Sequence, residues 1–213
     1  VKAGKQVSAF IKIKARFDEA ANLNWGEKLE KAGVTVNYSM PGLKVHSKLA
    51  MVRRVENRVD RLYAYMATGN FHEGTASLYS DMGVFTSDPR IVNEAARVFS
   101  YLETKKLPTK PFQHLLVGQF NLRPKLASLI DYEIAQAEKG KKAEIILKMN
   151  SLQDPQMIDH LYRASQAGVK IELIIRGICC LVPGVKGLSE NIQAVSIVDR
   201  YLEHTRVFIY HHG

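Results

Sequence analysis

The chain has 213 residues, of which 46% are hydrophobic and 24% charged, and this composition is that of a globular protein with room for two small domains. No stretch approaches the roughly 18 apolar residues of a membrane span, and the first residues do not form a signal peptide, so we expect a soluble, cytoplasmic protein. The net charge of +9 predicts affinity for a polyanion, without choosing among nucleic acid, anionic lipid and a phosphate polymer.

The first half of the chain alternates between strand and helix patterns. In chain order, the patterns predict a strand at 7–14, a helix at 18–31, a strand at 34–38, strands at 49–52 and 62–67 on either side of a charged turn at 53–61, and a helix at 90–102. A segment with two prolines and three lysines, 105–111, then predicts a linker. We therefore expect a first domain at 1–104 and a second at 105–213.

The second half shows the same alternation. Its patterns predict a helix at 124–139, a strand at 143–149, a helix that Asp154 caps and that runs to Gln166, and a strand at 169–175. Strands that alternate with helices indicate an α/β fold with a mostly parallel sheet in each domain. The adjacent Cys179 and Cys180 are too close in sequence to form a disulfide readily, and we expect buried or unreactive thiols.

One sequence pattern occurs twice and places a histidine at the same point of each copy. In the first copy His46 follows Val34 by twelve residues, and in the second copy His204 follows Ile192 by twelve residues. Each histidine comes just before an apolar strand. A pseudo-twofold repeat of this kind can bring two imidazoles face to face, which suits a reaction that needs a nucleophile and a proton-transfer partner.

The segment around His46 has the residues for phosphoryl chemistry. A neutral imidazole can attack phosphorus without an activating base, and Lys48 lies on the same face of a strand, where it can hold a phosphoryl oxygen. Arg206 stands in the same place relative to His204, and Asn70 lies in a Gly-Asn turn about twenty residues downstream of His46. A hydrogen-bonded structural histidine is the alternative interpretation of each imidazole.

These residues resemble a known family. The pattern His-x-Lys with a downstream Gly-Asn, repeated in two halves, is similar to the phospholipase D superfamily. Longer strings resemble, more narrowly, the long, histidine-phosphorylating type of polyphosphate kinase, and they cover nearly the whole chain: Lys14-Ala-Arg-Phe-Asp-Glu-Ala-Ala-Asn22, Gly69-Asn-Phe, Leu78-Tyr-Ser-Asp81, Lys148-Met-Asn-Ser-Leu, Ile175-Arg-Gly-Ile-Cys-Cys-Leu, Ser189-Glu-Asn-Ile and Leu202-Glu-His-Thr-Arg206.

The resemblance implies a fold of two phospholipase D-like α/β domains and a role for each site residue. It implies that His46 takes the terminal phosphoryl group of ATP and passes it to polyphosphate, with His204 as the second catalytic histidine and Lys48 beside them. It further implies nucleotide or phosphate contacts for Tyr79, Arg176 and His204, and a contact of Arg16 with a Mg2+-phosphate group. We also expect Arg206 and Asn70 to bind nucleotide or phosphate, from their places in the repeat and in the Gly-Asn turn. The implied partners are ATP, ADP and inorganic polyphosphate, and no nucleic acid is expected. The resemblance is also compatible with peripheral membrane association and with a homo-oligomer of the full-length protein.

Two departures from the superfamily bear on the alternatives. Arg53 stands where the hydrolases of the superfamily usually have Asp, and Arg206 stands in place of Lys, which disfavours a phosphodiesterase or nuclease. Because both ends of the chain look cut, we expect a C-terminal fragment with partly truncated domains. An inactive, polyanion-binding fragment is therefore a third interpretation.

Overall fold

The computed structural model describes residues 1–12, 19–39 and 42–212 and has an α/β fold. By compactness the chain divides into two units. Unit 1 comprises 1–47, 51–64 and 86–111, and unit 2 comprises 48–50, 65–85 and 112–213. Both units are discontinuous in sequence, whereas the predicted boundary after residue 104 is a single cut, and that boundary stays a prediction.

Eleven strands and five helices occur in the described parts of the chain. In chain order they are β1 (Ser8–Ile11), α1 (Glu19–Lys31), β2 (Thr35–Tyr38), β3 (Lys48–Glu56), β4 (Val59–Ala67), α2 (Glu73–Ala76), β5 (Tyr79–Ser80), β6 (Gly83–Thr86), α3 (Pro89–Thr104), α4 (Leu122–Ala137), β7 (Glu144–Met149), α5 (Pro155–Gln166), β8 (Lys170–Ile175), β9 (Ile192–Val195), β10 (Leu202–Glu203) and β11 (Val207–Tyr210). None of these helices is both long and apolar enough to cross a membrane.

Unit 1 begins with the predicted strand-helix-strand arrangement. Strands β1 and β2 pair in parallel, with Ser8 opposite Thr35, and α1 connects them. Gly33 ends the helix with a φ of +87°, a conformation that costs glycine little. Trp25 on α1 is 61% exposed, whereas Gly26 is buried and packs against Tyr38.

The charged segment 53–61 forms a β-hairpin, and the prediction of a long turn there is wrong. Strand β3 continues to Glu56 and β4 starts at Val59, so the turn consists of Asn57 and Arg58, which have φ values of 50° and 65°. Two residues with positive φ are typical of tight hairpin turns, whose twist matches that of the flanking strands. The charges lie on the strands, where Arg53 pairs with Asp60 at 2.6 Å. The three-stranded sheet has the order β3-β4-β6.

Unit 2 contains a four-stranded sheet with the order β11-β7-β8-β9. Strands β7, β8 and β9 are parallel, as predicted, and β11 pairs with β7 in the antiparallel direction. Alternate residues of β7 and β8 point into a core that the helices α4 and α5 cover. That core includes Ile130, Ile145, Leu161, Ile171 and Leu173, each at most 1% exposed.

The helix α5 begins as the sequence predicts. The side chain of Asp154 accepts a hydrogen bond from the backbone N–H of Met157 at 3.0 Å, and Pro155 occupies the first helical position. Arg123 on α4 donates to both carboxylate oxygens of Asp154, at 2.6 and 2.8 Å. The capping residue of α5 therefore also forms an ion pair with α4.

The two cysteines lie in the loop that follows β8. Cys179 makes an isolated parallel bridge with Leu152, and its thiol donates to the carbonyl oxygen of Leu181 at 3.4 Å. Cys179 and Cys180 are both exposed and reduced, so the expectation of burial is wrong. That expectation rested on the apolar residues around the cysteines, but the chain has left the sheet at Arg176 and these residues continue along the surface.

Candidate functional site

The parallel pairing of β5 with β10 brings His204 to Asp81 within unit 2. Leu202 lies opposite Tyr79 and Glu203 lies opposite Ser80. The carbonyl oxygen of Ser80 then accepts from the backbone N–H groups of His204 and Thr205 and from the hydroxyl of Thr205, at 3.2, 3.1 and 3.0 Å. On the other side Lys148 of β7 donates to the Glu203 carboxylate at 2.6 Å. These contacts hold the backbone on both sides of His204.

The imidazole of His204 forms an ion-pair contact with Asp81. Its Nδ1 atom lies 2.7 Å from Asp81 Oδ1, and the histidine is only 6% exposed. Because an ionised carboxylate can only accept, Nδ1 donates and the second ring nitrogen, Nε2, is available to a reacting group. The ring edge of Tyr79 lies against the imidazole, with centroids 5.1 Å apart.

Three groups keep Asp81 ionised. Desolvation raises the pKa of Asp81, but hydrogen bonds from Thr68 and His204, together with the positive charges of His204 and Lys48, outweigh desolvation and leave the pKa below its usual value of 3.8. The hydroxyl of Thr68 donates to Asp81 Oδ1 at 2.7 Å. Lys48, the first residue of β3, is buried, with 9% exposure. The site thus contains a fixed negative charge beside a buried lysine and a buried histidine.

Arg176 and Arg206 form a second charged group of the site. Desolvation lowers the pKa of Arg206, the positive charge of Arg176 lowers it further, and only Asp81 opposes them. Arg176 directly follows β8 and its Nη1 atom is buried with no hydrogen-bond partner, while Arg206 donates weakly to the carbonyl oxygen of His204 at 3.4 Å. Two guanidinium groups that repel each other, one with an unused N–H donor, are suited to bind an anion. The carboxyl ends of parallel strands are where α/β proteins place ligands.

The remaining predicted residues are placed less closely around His204. Asn70 is exposed and lies between β4 and α2, and its carbonyl oxygen accepts from the backbone N–H of His72. His72 caps α2, since its Nδ1 accepts from the backbone N–H of Thr75 at 3.2 Å. A capping role accounts for His72, a residue to which the sequence assigns no function.

His46 lies in unit 1, two residues before β3, and its side chain is exposed. The repeat therefore correctly predicts a histidine just before a strand in each half, because His204 likewise precedes β11. That the two imidazoles meet stays a prediction. Arg16 lies outside the described residues.

The described residues do not form a protein cage for a metal ion. Within residues 1–12, 19–39 and 42–212, no group of three or more His, Cys, Asp or Glu side chains is arranged to hold one. Mg2+ prefers octahedral oxygen ligands, and Oδ1 of Asp81 already accepts two hydrogen bonds. The side chains around His204 fit an anion better than a bare cation.

No sequence pattern assigns a role to Asp81 or Thr68. Asp81 ends one string that carries the family resemblance, Leu78-Tyr-Ser-Asp81, and Thr68 directly precedes another, Gly69-Asn-Phe. An acidic residue directly after a short strand pattern is the signal that points to Asp81. Its partner is 123 residues away in the chain, and no local pattern predicts such a contact.

The chain is thus an α/β protein in which an acid-paired histidine and two arginines that repel each other lie in the same unit. Residues 1–108 match the family profile described as "Polyphosphate kinase C-terminal domain 1", and residues 115–213 match "Polyphosphate kinase C-terminal domain 2". The chain belongs to the polyphosphate kinase family.

Relatives and a solved structure agree with this assignment. The chain is 51% identical over 208 residues to a polyphosphate kinase of Vibrio parahaemolyticus, which covers 98% of this chain and 30% of the relative. It is 47% identical over 210 residues to that of Escherichia coli, which covers 99% and 30%. The crystal structure of a polyphosphate kinase from Porphyromonas gingivalis superposes with a TM-score of 0.87 at 44% identity, covering 99% of this chain and 35% of that one. The chain therefore spans about a third of the length of these proteins.

Proposed function

We propose that this chain forms the phosphoryl-transfer part of a polyphosphate kinase, which moves the terminal phosphoryl group of ATP reversibly to inorganic polyphosphate. The observation that carries the proposal is the buried His204–Asp81 pair, 2.7 Å apart, beside the two repelling arginines Arg176 and Arg206. An acid-paired imidazole supplies proton transfer, and paired guanidinium groups supply charge neutralisation, which are the two requirements of phosphoryl transfer.

His46 is the proposed nucleophile. A ring nitrogen of His46 forms a bond to the terminal phosphorus of ATP while the bond from that phosphorus to the bridging oxygen of ADP breaks. A second transfer breaks the N–P bond and forms a P–O bond to the end of a polyphosphate chain. The exposure of His46 and its position before β3 are consistent with access for both phosphate substrates.

His204 is the proposed proton-transfer partner. With Nδ1 bound to Asp81, the Nε2 atom can donate to, or hydrogen-bond, the oxygen that leaves phosphorus. Asp81 keeps the imidazole in one tautomer and stabilises it when it carries two protons, the same division of labour as in a Ser-His-Asp triad.

The cationic side chains are the proposed phosphate ligands. Arg176 and Arg206 offer planar donors to phosphoryl oxygens, and buried Lys48 adds a positive charge beside Asp81. Tyr79 and Asn70 are proposed nucleotide or phosphate contacts, and Arg16 is a proposed partner of the metal-bound phosphates. Mg2+ enters as the counter-ion of the ATP phosphates, whose charge it neutralises. A cytoplasmic location, a homo-oligomeric state and peripheral membrane association belong to the same proposal.

A labelling experiment tests the nucleophile. A chimera is made in which this chain replaces the matching 210 residues of the Escherichia coli relative, and it is incubated with Mg2+ and γ-labelled ATP. We expect an acid-labile, base-stable label on His46, and no label in the His46→Ala variant, because only an imidazole in that place can form the N–P bond. His114→Ala is the matched control, since this histidine belongs to neither copy of the repeat. A normal label in the His46→Ala chimera contradicts the proposal.

The second candidate is a phosphodiesterase of the phospholipase D type. The His-x-Lys pattern favours it, whereas Arg53, which pairs with Asp60 on an exposed hairpin, leaves that position without the expected acid. Hydrolysis of a phosphodiester substrate by the chain, with no transfer from ATP, is the outcome that selects this candidate.

A further inference from the structure

Thr68 donates to the carboxylate of Asp81, and Gly69 lies where a side chain would crowd that carboxylate. The two residues directly precede Asn70, the one residue of this turn to which the sequence assigns a role. We propose that Thr68 and Gly69, here called the carboxylate clamp, are positioning residues that hold Asp81 in the one orientation in which it directs His204. The importance of this for catalysis rests on the proposed function, but the clamp itself rests on geometry alone.

Both lone pairs of one carboxylate oxygen are occupied. Asp81 Oδ1 accepts from the Thr68 hydroxyl at 2.7 Å and from His204 Nδ1 at 2.7 Å. A carboxylate oxygen has two lone-pair sites, so these donors saturate it. The terminal torsion of an aspartate is otherwise broad, and one donor alone leaves the group free to turn. The second donor is therefore what defines the orientation of Asp81.

The hydroxyl of Thr68 is itself held in place. Its oxygen accepts from the backbone N–H of Met82 at 3.1 Å, and the backbone N–H of Thr68 donates to the carbonyl oxygen of Met82 at 3.0 Å. Because Asp81 immediately precedes Met82 in the chain, these two hydrogen bonds tie Thr68 to the segment that carries Asp81. With the oxygen of Thr68 accepting from Met82, its proton points to Asp81.

Gly69 leaves the space that the carboxylate of Asp81 occupies in this orientation. A Cβ atom at position 69 would lie 3.0 Å from Asp81 Oδ2 and 3.1 Å from both its Cβ and its Cγ. No positive φ requires glycine here, so the reason for glycine is this close approach. A larger residue would displace Asp81, because three of its atoms share the crowding.

The clamp acts on the proton of His204. The charged groups that face Asp81 are His204, Lys48 and Arg206, and all three are cationic or can become so. Lys48 and Arg206 act over distance and cannot fix a direction, whereas Thr68 donates a hydrogen bond and Gly69 leaves room for one position of the carboxylate. Loss of the clamp leaves the charges in place and lets Asp81 turn away from Nδ1. His204 then loses the preference for a proton on Nδ1 and exposes a protonated Nε2 in part of the molecules.

Nitrogen-15 NMR of the chain tests the clamp without any catalytic activity. At about pH 8, where a free imidazole side chain is neutral, the two nitrogen shifts of His204 report which nitrogen carries the proton. We expect the Nδ1–H tautomer in the unmodified chain and a mixture of tautomers in Thr68→Val, which removes the hydroxyl at constant shape. Gly69→Ala, which acts by crowding, should give the same mixture. Thr68→Ser restores the donor and should restore the Nδ1–H tautomer.

The matched control is Thr75→Val. Its hydroxyl donates to the carbonyl oxygen of His72 in the same unit, away from Asp81, and its loss should leave the His204 spectrum unchanged. A pure Nδ1–H tautomer in folded Thr68→Val, or in Gly69→Ala if Thr68→Val does not fold, overturns the proposal.

The effect on catalysis is measured separately in the chimera. We expect Thr68→Val to lower kcat about tenfold with little change in KM for ATP, the size of effect that loss of one hydrogen bond to a charged group gives. An inactive unmodified chimera counts against the proposed function and leaves the NMR result standing. A shifted tautomer with unchanged kcat and KM overturns the catalytic importance of the clamp.

Discussion

At the scale of single residues, the site depends on a pair that is far apart in sequence and close in space. Asp81 has its pKa lowered although desolvation opposes this, because two hydrogen-bond donors and the charge of Lys48 stabilise the ionised form. His204 needs an anionic acceptor on Nδ1 if its Nε2 is to exchange protons with a phosphate. The negative charge of Asp81, and not only its shape, is therefore the property that matters.

The substitution Asp81→Asn tests this charge. In the chimera we expect phosphoryl transfer to slow by about 100-fold or more, because an amide does not stabilise a doubly protonated imidazole. Rapid-quench measurement of labelled phosphate transfer provides the rate. Asp60→Asn is the control, as it removes a carboxylate that pairs with Arg53 on the exposed hairpin. Equal rates in the two variants would mean that His204 acts without Asp81.

At the scale of elements, α5 shows how one side chain can both start a helix and bind a neighbouring helix. Asp154 accepts from Met157 as a cap and from Arg123 of α4 as an ion pair. The hydrogen bond from Arg123 and then that from Met157 lower the pKa of Asp154 to about 2. A depressed pKa in the folded state means that the contribution to stability is full above the ordinary pKa near 3.8 and is lost as the pH falls towards 2.

The substitution Asp154→Asn separates the two roles, because asparagine is also a good cap but does not titrate. We expect the unmodified chain to lose stability between about pH 4 and pH 2, and the variant to lose less over the same range. Urea denaturation at several pH values, followed by circular dichroism, measures this. Asp159→Asn, on the same helix and without the Arg123 contact, should retain the full pH dependence. A variant with the same acid sensitivity as the unmodified chain would show that another carboxylate is responsible.

At the scale of the whole molecule, the chain carries a net charge of +9, but its basic residues differ in whether an acidic residue pairs with them. On the hairpin, Arg53, Arg54 and Arg61 pair with acidic residues. Arg176 and Arg206 instead repel each other. Binding of a polyanion should therefore depend on these two arginines more than on the total charge.

The salt dependence of binding tests that distribution. We expect the affinity of the chain for polyphosphate to fall linearly in a plot of log affinity against log salt, by analogy with counter-ion release from nucleic acids. Arg176→Gln should reduce the slope by about 1, because one phosphate contact is lost. Arg163→Gln removes an exposed arginine that pairs with Asp131, and should leave the slope unchanged. Fluorescence competition at about 50 to 300 mM salt measures both. Equal slopes for the two variants would indicate diffuse surface binding.

The sequence alone determined the features that depend on near neighbours. The order of the longer strands and helices, the cap at Asp154, the mostly parallel sheet of β7, β8 and β9 and the family resemblance could all be predicted, because hydrophobic periodicity, capping and motifs are local. It also predicted a histidine just before a strand in each half. The error at 53–61 arose because charged residues are common both in turns and on exposed strands.

Only the tertiary structure decided which side chains meet. The pairing of β5 with β10 brings Asp81 to His204. Thr68 donates a hydrogen bond to the carboxylate, and Gly69 leaves room for it. Two two-residue strands leave almost no periodic signal, and a contact across 123 residues depends on how the intervening elements pack. The exposure of Trp25 and of the two cysteines was decided in the same way, because burial depends on what covers a residue as well as on its own polarity.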